Sequence, residues 1–125
     1  MAEPNFLSTN EFEEELKLIK KNIPTVKMFI LLGGEPLLNN NLLDFCIIIR
    51  KYFSEAEISI MTNGILLKKI KKDAKKYKEL DVRFDISAYP GYTDIELMNS
   101  MSEKNFIVGL NTRFTMQQTL VDDNG

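Results

Sequence analysis

The sequence contains no histidine and one cysteine, Cys46, among its 125 residues. There is accordingly no imidazole to activate a nucleophile. A single cysteine cannot close an internal disulfide, which agrees with a reducing compartment. No apolar stretch approaches the roughly 20 residues that span a bilayer, and the start Met1-Ala2-Glu3-Pro4 lacks the basic flank and apolar core of a secretory leader. The cytoplasm is therefore the expected location. A strong net charge is also missing: at −2, with a pI near 5.2, the molecule offers no general attraction to nucleic acid or an anionic membrane, and neither partner is expected.

What is present is an ordinary globular composition, 44% hydrophobic and 27% charged, well away from the charge excess of disorder. A chain of this length forms one domain, residues 1–125, and buries roughly two-thirds of its unfolded surface. The order of elements is regular. Ser8 and Glu11 fit a capping box, after which Phe12, Leu16, Ile19 and Ile23 recur at helical spacing until Pro24. Val26 to Leu32 is a nearly unbroken apolar run, as expected of a strand covered on both sides. Leu42, Phe45, Cys46, Ile49 and Phe53 form a second helical stripe. There follow a strand from Glu57 to Thr62, a helix with Leu67, Ile70, Ala74 and Tyr77 on one face, a strand from Val82 to Ser87, a short helix from Asp94 and a strand from Phe106 to Asn111. Strands alternating with helices over short connections predict a parallel α/β sheet, open or curled into part of a barrel.

Two strand ends look built for a ligand. Phe29-Ile30-Leu31-Leu32 runs into Gly33-Gly34-Glu35-Pro36, where the glycines permit close backbone approach, Pro36 fixes the exit and Glu35 offers a carboxylate to a cation. Ile58-Ser59-Ile60-Met61 ends in Thr62-Asn63-Gly64. Alternation along the strands puts Ser59, Met61 and Asn63, then Arg83, Asp85 and Ser87, then Asn111 and Arg113, on one inner side. A cavity lined by such groups suits a polar ligand, whereas in an open sheet the same groups would face solvent.

The ordered set Gly33-Gly34-Glu35-Pro36-Leu37-Leu38, Thr62-Asn63-Gly64 and the polar-ended third strand resembles the GGEP and TNG motifs of radical S-adenosylmethionine enzymes. The resemblance covers about residues 26–90 and more loosely the rest. It implies a partial (β/α) barrel, a parallel sheet with outer helices, in which a 4Fe-4S cluster cleaves S-adenosylmethionine to a 5′-deoxyadenosyl radical that abstracts hydrogen from substrate. By resemblance, Gly33, Gly34 and Glu35, with Pro36 closing the loop, would meet the amino group of the methionine moiety. Asn63 would lie beside the adenosine, and Ser87, or failing it Asp85, would meet the ribose hydroxyls; on its face and charge alone, Arg113 would pair with the methionine carboxylate.

The chain departs from the family in lacking three closely spaced cluster cysteines, so no metal ligand is assigned. Because a helix precedes the first strand and only four strands are legible, a fragment truncated at both ends is expected, with the cluster in the full-length parent and no turnover in this chain alone. The substrate, whether peptide, protein or metabolite, stays open. The exposed edge of the Val26–Leu32 strand predicts self-association. A standalone cluster-free binding or interaction module, or a purely structural domain, would explain the same pattern without the reaction. The seven lysines between Lys68 and Lys78 read as a solvated face, Cys46 as a core residue, and Met28, Met61, Met98 and Met101 as core fillers.

Overall fold

The computed structural model describes residues 6–32, 35–89, 91–103 and, as a strand, 108–110. Ser8 and Glu11 make both halves of the predicted capping box and start α1 (Thr9–Asn22). There follow β1 (Met28–Leu31), a 3₁₀ turn (Pro36–Leu38), α2 (Leu42–Tyr52), β2 (Glu57–Thr62), α3 (Lys68–Lys71), α4 (Ala74–Glu79), β3 (Val82–Ile86), α5 (Ile95–Glu103) and β4 (Val108–Leu110). All four strands are parallel and lie in chain order, β1-β2-β3-β4. Sequential order is what a barrel wall requires, while a doubly wound sheet reverses direction part-way across.

The described helices bury their apolar stripes against one face of the sheet. Ile58, Ile60, Val82, Phe84 and Ile86 are each at most 1% exposed and meet Leu16, Cys46, Ile49, Ile70, Tyr77, Met98 and Met101 in a single core. Aromatic pairs knit the layers: Phe12 stacks on Phe45 with ring centroids 4.0 Å apart, and Tyr77 meets Phe84 edge-on at 5.1 Å. At the N-terminal end of the strands, the Arg50 guanidinium gathers carbonyls. It donates to Leu80 O through Nε at 3.1 Å and Nη2 at 2.8 Å, and through Nη1 to Ser54 O at 3.0 Å and to Ala56 O. One side chain thus joins the end of α2 to the entries of β2 and β3.

Four expectations need correction. β1 is covered by helices on one face only: Met28, Ile30 and Leu32 stand exposed on the helix-free face while Phe29 and Leu31 pack against the core, and its outer edge pairs with no described strand. An apolar run reports the side chains available, not the number of layers that cover them. Met28 and Met61 therefore fill no gap in the core and lie along the groove of the helix-free face, whereas Met98 and Met101 do pack in the core. The helix after β2 is split into α3 and α4, although Leu67, Ile70 and Tyr77 remain buried as the spacing requires. Its turns tighten to three-residue hydrogen bonds, Ile70 N to Leu67 O and Asp73 N to Ile70 O. Like charges four apart, Lys68 with Lys72 and Lys71 with Lys75, work against a continuous helix. Ile23 caps α1 from an exposed position and is not part of its stripe. The fourth strand was expected from Phe106 to Asn111; Phe106, Ile107, Asn111 and Arg113 lie outside the described residues.

Candidate functional site

The C-terminal rim of the sheet is drawn together by Glu35. Its carboxylate caps the 3₁₀ turn by accepting Leu37 N on Oε2 at 2.9 Å, with Pro36 occupying the first turn position, where a missing N–H is harmless. The same Oε2 accepts the Thr62 hydroxyl at 2.6 Å, and Oε1 accepts Asn63 N at 3.0 Å. One carboxylate therefore ties the loop after β1 to the end of β2. A carboxylate offers about four acceptor sites, so roughly one is left over after these three bonds.

At the end of β2 each residue has a distinct task. Thr62 Oγ1 donates to Glu35 and accepts Gly64 N at 3.1 Å. Asn63 closes a turn by accepting Ile65 N on Oδ1 at 2.9 Å, and its carbonyl accepts the hydroxyl of Thr93 at 2.6 Å. With N, O and Oδ1 engaged, Nδ2 is the group of Asn63 that lacks a hydrogen-bond partner among the described residues. Gly64 adopts φ +76°, and a Cβ there would sit 2.8 Å from both Ile86 Cγ2 and Thr93 Cγ2, so this position demands glycine on two counts. Ser87 is fixed by its backbone, which donates to Thr62 O at 2.9 Å, leaving its hydroxyl without a partner among the described residues.

Of the residues singled out by sequence, the rim thus brings together Glu35, Pro36, Asn63 and Ser87. Asp85 lies lower on the sheet, paired in register with Met61, and its carboxylate is occupied: the Ser59 hydroxyl donates to Oδ2, and Arg83 Nε donates to Oδ1 at 2.8 Å. This trio sits in a groove of about 640 Å³ along the helix-free face, beside Met28, Ile30 and Met61. Gly33, Gly34 and Arg113 lie outside the described residues. Sequence reasoning missed two rim residues as participants. Thr62 was visible as the head of the Thr62-Asn63-Gly64 turn; Thr93, 30 positions beyond Asn63, carried no local signal.

The remaining chemistry-bearing groups stay apart from the rim. Cys46 is fully buried in α2, and burial pushes its thiol up to about 12, far from the thiolate that reacts or ligates. Burial likewise raises the Tyr77 hydroxyl above its ordinary range. Lys68, Lys69, Lys71, Lys72, Lys75, Lys76 and Lys78 are all exposed. Among the described residues, no group of three or more Asp, Glu, Cys or His could hold a metal ion, and no helix is long and apolar enough to cross a membrane.

A parallel sheet in sequential order, with helices on one face and polar loops gathered at the strands' C-terminal ends, defines a partial α/β fold. The profile of the radical SAM superfamily matches residues 2–101, and the chain belongs to that superfamily. It is 32% identical over 85 residues to a GTP 3′,8-cyclase of Helicobacter pylori, covering 68% of this chain and 26% of that protein. It is 38% identical over 77 residues to a GTP 3′,8-cyclase of Campylobacter jejuni subsp. doylei, covering 59% of this chain and 24% of that protein. The chain thus spans about a quarter of the length of these relatives. No solved structure matches it significantly.

Proposed function

We propose that the rim loops of this chain hold S-adenosylmethionine within a radical SAM enzyme. In this reading Glu35 receives the ammonium of the methionine moiety, Asn63 lies beside the adenosine and Ser87 meets the ribose hydroxyls. Gly33, Gly34, Pro36 and Arg113 complete the pocket, with Asp85 as the alternative ribose partner. The observation that carries it is the joining of Glu35 and Asn63 at one rim, next to a Ser87 hydroxyl and an Asn63 amide that have no partner among the described residues. These groups match the cofactor's polar ends: an acceptor for a cation, and donors for hydroxyl and ring-nitrogen acceptors.

When bound beside a reduced 4Fe-4S cluster, the cofactor supplies the radical chemistry, and the chain's own residues bind and orient it. The residues of this chain do not fit the cluster itself. Cluster ligation needs several thiolates, whereas the sequence holds one cysteine, buried and with its thiol held protonated. No cluster and no turnover are expected from this chain alone; anaerobic reconstitution that yielded stoichiometric iron and sulfide would contradict that.

The relatives' name specifies GTP. On the described helix-free face Met28, Ile30 and Leu32 are exposed and Arg83 donates through Nε to the Asp85 carboxylate, so this part of the wall offers a phosphate little uncompensated positive charge. This part of the wall would give a substrate apolar contacts. Titration calorimetry tests both points: S-adenosylmethionine should bind, Glu35→Gln and Ser87→Ala should weaken it, and GTP should give no heat. Binding that both substitutions leave intact would overturn the site assignment.

The outer edge of β1 pairs with no other described strand. A second copy would extend the sheet there, and scattering showing a compact monomer at high concentration would refute that association.

A further inference from the structure

The backbone of Asn63 is held at both of its polar groups, one on each flanking peptide. Glu35 Oε1 accepts its N–H at 3.0 Å, and Thr93 Oγ1 donates to its carbonyl at 2.6 Å while accepting Tyr89 N at 2.7 Å. Thr93 belongs to the connection between β3 and α5, yet it is only 7% exposed, and its methyl occupies the space that a side chain on Gly64 would need. The two functional groups of one threonine thus restrain both sides of the Asn63–Gly64 peptide. That restraint matters because Gly64, at φ +76°, has no Cβ of its own to resist rotation of that peptide.

We propose that Thr93 is a positioning residue for the rim site: its hydroxyl fixes the Asn63 carbonyl and thereby sets where the Asn63 side-chain amide meets a ligand. The inference rests on the reading of the rim as an S-adenosylmethionine site and extends it to a third loop. Asn63 already spends its N–H, carbonyl and Oδ1 on internal bonds, so its remaining donor is aimed by the backbone that bears it together with the Oδ1 bond to Ile65 N. Loss of the Thr93 hydroxyl leaves that carbonyl without its donor and frees the peptide to rotate. Serine retains the hydroxyl, whereas valine retains the shape and removes it.

The test compares the whole chain as wild type, Thr93→Val and Thr93→Ser, with S-adenosylmethionine as the probe. Calorimetry should show binding weakened about tenfold in Thr93→Val, the scale of one hydrogen bond, and by less than about threefold in Thr93→Ser. In parallel, the Asn63 side-chain amide pair in a ¹⁵N spectrum, assigned through its loss in Asn63→Asp, should move in ligand-free Thr93→Val and return in Thr93→Ser. A merely structural threonine would lower the melting temperature without moving that pair. If Thr93→Val does not fold, Thr93→Ala removes the same hydroxyl with less bulk and carries the comparison. Wild-type affinity and an unmoved amide pair in the folded variant would overturn the proposal. An amide pair that moves while the wild-type chain binds no S-adenosylmethionine would sustain the positioning role and sink the ligand assignment.

Discussion

Arg50 and Glu35 sit at opposite ends of the same sheet and do mirror-image work. Arg50 collects the carbonyls of Leu80, Ser54 and Ala56 where strands begin, and Glu35 collects the N–H groups of Leu37 and Asn63 with the Thr62 hydroxyl where strands end. In both places one charged side chain replaces hydrogen bonds that irregular backbone cannot make for itself. The difference lies in what is left over. Around Arg50 the neighbours are backbone carbonyls and the arrangement closes on itself. Around Glu35 the partners are two backbone N–H groups and one hydroxyl, and an Asn63 amide and a Ser87 hydroxyl beside them remain without partners among the described residues. The first end is a clamp, and the second is a clamp that leaves polar groups open to the proposed ligand.

The largest effect should come from breaking the closed end. Arg50→Ala should cost about 3 kcal/mol in chemical denaturation, the upper end for hydrogen bonds made by a charged group. Arg50→Lys should recover less than half of that because an ammonium lacks the planar fork. At the open end, Gly64→Ala should cost about 2 kcal/mol, since alanine must adopt the left-handed φ of +76° and press on Ile86 and Thr93. Glu35→Gln should cost about 1.5 kcal/mol, because one of its two oxygen positions becomes a donor facing donors. It should weaken S-adenosylmethionine in calorimetry, whereas folded Arg50→Lys should bind as wild type does. Equal losses of affinity at the two ends would erase the distinction drawn between them.

The smallest effect concerns a tether between α1 and α2, adjacent in sequence to Arg50 but sharing none of its hydrogen bonds. Hydrogen bonds from the Tyr52 hydroxyl and then from Lys51 hold the Glu13 carboxyl below its ordinary 4.5. A carboxyl lowered in the folded state contributes stability that is present above the unfolded value and disappears as pH falls through the folded one. Melting temperature should therefore fall slightly more steeply below about pH 4.5 in the wild type than in Glu13→Gln, a comparison made by thermal scans across that window.

The sequence by itself determined most of the elements and their order. The Ser8–Glu11 capping box, the stripe from Leu42 to Phe53 and the alternation of strands with helices are local patterns, so composition and spacing were enough to find them. It also exposed Gly33 to Leu38 and Thr62 to Gly64 as loops at strand ends, because glycine, proline and asparagine have strong local conformational preferences. Tertiary structure alone decided which partners those loops take. Which face of β1 stays uncovered depends on where the helices pack, and the same apolar run would suit a strand covered on both faces. The break between α3 and α4 left the buried stripe intact and was invisible to periodicity. Above all, the bonds from Glu35 to Asn63 and from Thr93 to Asn63 span 28 and 30 residues. Side chains so distant in sequence meet only because parallel strands bring successive C-terminal loops to one rim, a register fixed by the whole sheet and written in no single segment.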